Sequence, residues 1–276
     1  MSDSNATPPI NLYHEIYGSG EPLLCLHGFG ASLYSWRSFV GPLSKDYRVI
    51  LIDLKGAGKS PKPNDTLYSP FDHASLIYDF ILQHDLRNLT LIGNSFGGTL
   101  SLLLSMMLAE KSESARLRSL ILIDAGAYKE FVPLYLRILS FPILNVAVAY
   151  LVPSKFAARS VLCQAYYDFS KVTKDQIAAY AAPLSTPGAR HALLETGKQI
   201  IPPNIDDLVA KYKEIKVPTL IIWGKQDKII SVKAGELLDQ AIPNSTLKVI
   251  DQCGHAPQEE EPEQTIALVL EFLKSL

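Results

Sequence analysis

Six short apolar runs dictate most of what this chain can fold into. "PLLCLHG" (22–28), "YRVILID" (47–53), "LTLIGN" (89–94) and "LRSLILID" (117–124) are nearly continuous in apolar side chains, and "VPTLIIWG" (217–224) and "TLKVID" (246–251) repeat the pattern late in the sequence. A strand with water on one face alternates polar and apolar residues. A run without alternation is buried on both faces, as in a parallel sheet covered by helices. "NLYHEIYG" (11–18) has mixed polarity and reads as a strand near a sheet edge. Helical spacing of apolar residues falls between these runs, over about 33–44, 72–84, 96–110, 231–241 and 262–275, the last opened by Pro262 at a first-turn position. Strands alternating with helices predict an α/β fold on a mostly parallel sheet.

One region breaks the rhythm. Residues 127–213 carry no convincing strand, only helix-like stretches punctuated by prolines and rich in aromatic residues. A chain of 276 residues is long enough for one large domain with an insertion. The expected organisation is therefore a core of residues 1–126 and 214–276, with 127–213 as a helical cap over one end of the sheet. Within it, "FVPLYLRILSFPILNVAVAYLVP" (131–153) is long enough to span a bilayer but contains Arg137, Pro133 and Pro142. Two amphipathic helices broken near Pro142 are the expectation, and a membrane-touching lid is the alternative. A formal net charge of −2 gives no basic surface for nucleic acid. "MSDSNATPPI" lacks the basic and apolar regions of a signal peptide. Three widely spaced cysteines, Cys25, Cys163 and Cys253, suit a reducing, cytoplasmic compartment rather than a disulfide framework. Cys253 and His255 could share a metal, but no further ligand cluster lies near them, so a buried thiol and no cofactor are expected. Oligomeric state is left open.

The chemistry centres on Gly93-Asn94-Ser95-Phe96-Gly97, a G-x-S-x-G between a predicted strand and a predicted helix. A tight strand-to-helix turn forces its central residue into strained backbone and demands small residues two positions either side. It also lifts the serine hydroxyl to a helix N-terminus, where developing negative charge is favoured. The hydroxyl needs a base. Of the six histidines, only His255 combines a strand-end loop, a preceding glycine and a position late in the chain. A carboxylate must orient that imidazole. Asp227, just past "LIIWG", precedes His255 in the order Ser…Asp…His, with Asp124 at the end of "LILID" as its competitor. Backbone donors for an oxyanion are the N–H of Phe96 and, from "LHGFGAS" (26–32), that of Phe29, with Gly30 in reserve. His27 reads as a residue that orders its loop.

"HGFGASLYSWR", "DLKGAGKSPKP", "GNSFGG", "WGKQDKII" and "GHAPQEEEP", in that order, resemble the α/β-hydrolase superfamily in its serine esterase and perhydrolase-like branch. The likeness implies a sheet of usually eight strands with a cap inserted after the sixth. It implies Ser95, Asp227 and His255 as catalytic triad and Phe29 and Phe96 as oxyanion donors, with Asp53, Gly56 and Gly58 as turn-formers beside the site. Relatives that attack alkyl carbon place an aspartate where this chain has Ser95, which leaves acyl transfer to water. The expected substrate is a small to medium, apolar carboxylic ester, its acyl and alcohol parts unspecified. Two alternatives stand. "GNSFGG" and "CGH" also resemble hydrolases of ring-fission (meta-cleavage) products, though Ala256 replaces their tryptophan and "HGFGAS" lacks their proline. The same fold also serves ligand receptors with slow turnover.

Overall fold

In the computed structural model, which describes residues 10–131 and 152–276, the apolar runs become one seven-stranded sheet. The strands are β1 (His14–Tyr17), β2 (Pro22–Leu26), β3 (Arg48–Ile52), β4 (Leu89–Asn94), β5 (Leu117–Ile123), β6 (Thr219–Gly224) and β7 (Ser245–Ile250), in the spatial order β1-β3-β2-β4-β5-β6-β7. Only β1 is antiparallel, pairing His14 with Ile52 on β3; every other pair is parallel. The described sheet is one strand short of the eight that the resemblance implied, because all six apolar runs are used and β1 alone stands outside the parallel block. Residues 1–9 lie outside the described part.

Burial explains the strand composition. β2, β4 and β6 are buried at every position, so each needs apolar side chains on both faces. β7 departs from the expectation of burial on both faces: it closes one edge, its exposure alternates, and Val249 is 43% exposed. On one side of the sheet, Leu24, Leu91, Leu122 and Trp223 pack against α2 (Pro70–Gln83), α3 (Phe96–Glu110) and α8 (Val232–Ala241). On the other, Cys25, Ile92, Ile121 and Ile222 meet Phe39 and Leu43 of α1 (Arg37–Leu43), and Val269 and Leu273 of α10 (Pro262–Ser275).

Between β5 and β6 the described residues contain helices and no strand: α4 (Ser154–Ala165), α5 (Lys174–Leu184), α6 (Ala189–Gln199) and α7 (Ile205–Ala210). The two helices expected around Pro142 lie outside the described residues. Among the described residues, no helix is long and apolar enough to cross a membrane. A short helix, α9 (Pro257–Glu260), links β7 to α10.

The strand order sets the site. From β2 the chain moves outward to β3, and from β4 it moves the other way to β5. The loops leaving the carboxyl ends of β2 and β4 therefore diverge and open a crevice, the usual ligand position in an open α/β sheet. Ser95 and the loop 27–32 stand on the two sides of that crevice.

Candidate active site

Ser95 occupies a backbone conformation that L-residues rarely adopt, φ 54° and ψ −114°, and four hydrogen bonds hold it there. Its N–H donates to the Ile123 carbonyl at 3.0 Å, and its own carbonyl accepts from Gly98, Thr99 and Gly126 at 2.9, 3.1 and 3.0 Å. Such a conformation costs on the order of 1–3 kcal/mol and persists only where the surroundings enforce it. The small neighbours are required: a Cβ on Gly93 would collide with the Gly97 carbonyl, and one on Gly97 with the carbonyls of Leu26 and His27.

Asp227 and His255 meet beside this turn. The Asp227 side chain is fully buried. Its Oδ1 accepts from the N–H groups of Ile229 (2.7 Å) and Ile230 (3.0 Å), and its Oδ2 accepts from His255 Nδ1 at 2.6 Å. A carboxylate with those donors can only accept, so Nδ1 carries a proton and, in the neutral imidazole, Nε2 is the acceptor. The His255 loop is pinned by its own backbone: its N–H donates to the Ala165 carbonyl at the end of α4 (2.6 Å), and its carbonyl accepts from Asn94 Nδ2 (3.1 Å). The residue next to Ser95 thus ties the serine turn to the histidine loop.

Asp124, the competitor for the acid, is also here and fully buried. It sits at φ 45°, its Oδ1 accepts from the Gly224 N–H at 3.0 Å, and its Oδ2 meets no donor among the described residues. Burial, then the charge of Asp227, push its pKa well above the usual carboxylate range. Asp124, Asp227 and His255 each bring one potential ligand atom within 4.8 Å of the others. Asp227 is already committed to two backbone donors and the imidazole, which accounts for the cluster without a metal.

His27 orders the loop after β2. His27 is buried, donates from Nδ1 to the Gly28 carbonyl (2.8 Å) and accepts at Nε2 from the Leu54 N–H (3.0 Å); burial holds it neutral. Asp53 accepts from the N–H groups of Leu33 and Lys59, at 2.8 and 2.7 Å, as a turn-former does. Among the described residues, the N–H groups of Phe29 and Phe96 make no backbone hydrogen bond. Cys25 and Cys253 are buried, all three cysteines are free thiols, and burial pushes the Cys253 thiol up.

Ser95, His255, Phe29 and Phe96 line one cavity of about 110 Å³. Its remaining wall is mostly apolar, with Leu162, Ile200, Ile205 and Ile230 among the contributors. Sequence reasoning missed its polar side, Glu259 and Tyr180. Glu259 is buried, accepts from the Tyr180 hydroxyl and pairs with Arg37; burial nevertheless raises its pKa above the usual carboxylate value. Glu260 was missed too, as was the tethering role of Asn94.

Against known proteins, the family model for the alpha/beta hydrolase fold matches residues 21–262. The chain belongs to that family. Among curated α/β-hydrolase relatives, it is 32% identical over 271 residues to a 2-hydroxymuconate semialdehyde hydrolase of Pseudomonas putida, covering 93% of this chain and 88% of that one. Among solved structures, it resembles a meta-cleavage product hydrolase from Pseudomonas fluorescens IP01, with a TM-score of 0.81, 25% identity and coverage of 96% and 95%. It also resembles a thermophilic esterase from Thermogutta terrifontis, with a TM-score of 0.79, 26% identity and coverage of 98% and 96%.

Proposed function

We propose that this α/β-hydrolase is a serine esterase, with Ser95 as nucleophile, His255 as general base, Asp227 as its orienting carboxylate, and the N–H groups of Phe29 and Phe96 as oxyanion donors. The observation that carries the reading is the His255 Nδ1–Asp227 hydrogen bond at 2.6 Å, which frees Nε2 as a base in the cavity that Ser95 lines. His255 takes the Ser95 proton as Oγ attacks the ester carbonyl. The tetrahedral oxyanion forms between the Phe29 and Phe96 donors, each contributing on the order of 3 kcal/mol to the transition state. Imidazolium then protonates the leaving alcohol, and neutral His255 activates water against the acyl-enzyme. Residues 127–213 form the cap, whose described helices supply apolar wall to the cavity and suit a small to medium apolar substrate. Three free thiols suit a reducing, cytoplasmic setting.

A second reading, hydrolysis of a carbon–carbon bond in a ring-fission product, is favoured by the 32% identical semialdehyde hydrolase. One experiment separates the readings: steady-state turnover of short p-nitrophenyl esters against a ring-fission dienone, for the wild-type protein and Ser95→Ala. Sustained ester release that Ser95→Ala abolishes is the expected result. Faster turnover of the dienone would move the assignment to carbon–carbon hydrolysis, and a single stoichiometric burst would make the chain a receptor.

A further inference from the structure

Two buried carboxyl groups stand behind one imidazole, where the proposed triad needs only one. Asp227 has a full set of donors: two backbone N–H groups and His255 Nδ1. Asp124 has one donor, the Gly224 N–H on Oδ1, and nothing for Oδ2 among the described residues. A bare carboxylate oxygen in a fully buried site beside another carboxylate is a costly arrangement, and a shared proton removes it. Asp124 does not line the cavity, so substrate does not explain the unused oxygen.

We propose that Asp124 keeps its proton at neutral pH and donates it as a hydrogen bond to the Asp227 carboxylate, making it a positioning residue: a carboxyl–carboxylate–imidazole stack that carries one negative charge. Three of the titratable groups around Asp124 favour this, and the fourth, His255, within 4.8 Å, opposes it only when it is itself protonated. Asp227 lies beside it, Glu260 of α9 adds negative charge, and the Cys253 thiol is neutral. Its effect on catalysis acts through Asp227: an O–H donor fixes the carboxylate rotamer and draws off part of its negative charge, which keeps the imidazole from holding its proton too tightly.

The proposal rests on the triad reading for its catalytic part only, and the experiment separates the two. Aspartate labelled with ¹³C in the side-chain carboxyl is followed by NMR between about pH 5 and 8 in the wild-type protein and Asp124→Asn. One resonance at the protonated-carboxyl position, absent from Asp124→Asn, is expected. That readout holds even if Ser95→Ala turned out to be active and the triad reading fell.

The kinetic arm uses the same variants. Asparagine keeps an N–H donor toward Asp227 and tolerates positive φ, so Asp124→Asn should rescue function and leave the acid limb of kcat/KM in place. Asp124→Ala removes the donor, so kcat should fall by about 10- to 100-fold with KM little changed, and the acid limb should move to higher pH. An ionised Asp124 resonance at neutral pH would overturn the proposal. So would an acid limb that drops by about one pH unit or more in Asp124→Asn, since only removal of a negative charge beside the imidazole produces that shift. If Asp124→Ala does not fold, the resonance and the asparagine variant decide.

Discussion

Replacing Glu260 should damage both stability and the reaction. Its side chain is nearly inaccessible, and its carboxylate accepts three backbone N–H groups: Gly254 at 2.7 Å and Tyr167 at 3.1 Å on Oε2, and Asp168 at 2.7 Å on Oε1. Gly254 precedes His255, while Tyr167 and Asp168 follow α4, so one carboxylate joins the histidine loop to the helices between β5 and β6. Each such charge-assisted bond contributes about 1.5–3 kcal/mol, and a buried donor left bare costs about 1–3 kcal/mol. Against this, alanine is relieved of holding a carboxylate away from water, itself several kcal/mol. The net for Glu260→Ala is a loss of about 3–5 kcal/mol.

Glu260→Gln makes a sharper comparison. Its one carbonyl oxygen can serve Gly254 and Tyr167 from the Oε2 position, which turns the amide NH₂ against the Asp168 N–H, donor to donor. One bond is lost, about 1.5–3 kcal/mol. Urea unfolding, followed by the fluorescence of the buried Trp36 and Trp223 and by circular dichroism with coincident transitions, measures both losses. In the ester assay kcat should fall in the order wild type, Gln, Ala, because the backbone supporting His255 loosens. A loss below about 1 kcal/mol for alanine, or a glutamine variant worse than alanine, would refute the three-donor account.

Ser95→Ala should lower kcat by about four to six orders of magnitude while the protein still unfolds at least as late as wild type, because alanine removes the proposed nucleophile without adding bulk to the turn. Asp227→Asn should lower kcat by about 10⁴-fold, since the amide can turn its donor toward His255 and impose the wrong tautomer, and Asp124→Asn should cost far less. The raised pKa of Asp124 fixes a sign for stability. Its folded-state value exceeds the unfolded one, so the folded protein binds the extra proton and stability from this group falls as pH rises between the two values. Asp124→Asn is neutral in both states, so its advantage over wild type in thermal unfolding should grow above the usual carboxylate range, by up to about 1.4 kcal/mol per pH unit.

The inner strands, β2 to β6, were legible in the sequence to within a residue or two because they are buried on both faces. The run 89–94 is β4 as it stands and the helix over 96–110 is α3, with the strained Ser95 between them. β7 was harder to characterise, because at an edge only one face needs apolar residues. The region between β5 and β6 was legible only as helical, without its limits. Pro183 lies inside α5 even though prolines suggested interruptions, one residue before the helix ends at Leu184. Asp227 and Asp124 were both legible as candidates, since each follows a buried strand. That both meet at one imidazole is a consequence of β5 and β6 being neighbours. Glu259 and Glu260 carried no local signal: Arg37 and Tyr180 are 222 and 79 residues from Glu259, and the N–H groups of Tyr167 and Asp168 are 93 and 92 residues from Glu260.

Four acidic side chains are thus buried around the His255 loop, and each is stabilised by different means. Glu259 has the Arg37 guanidinium and the Tyr180 hydroxyl, Glu260 three backbone N–H groups, Asp227 two backbone N–H groups and an imidazole, and Asp124 a proton. The partners differ in where they come from. Those of Asp227 and Asp124 belong to the strand-end loops, so the alignment of the imidazole depends on the sheet. Those of Glu259 and Glu260 include α5 and the turn after α4, so the position of the histidine loop depends on how those helices sit. A change that moved α4 and α5 outward would have to strip Glu260 of two donors and Glu259 of one. It would also break the His255 N–H bond to Ala165. Opening of this wall and alignment of the base are for that reason one equilibrium, so variants on α4 and α5 that touch no substrate should still change kcat.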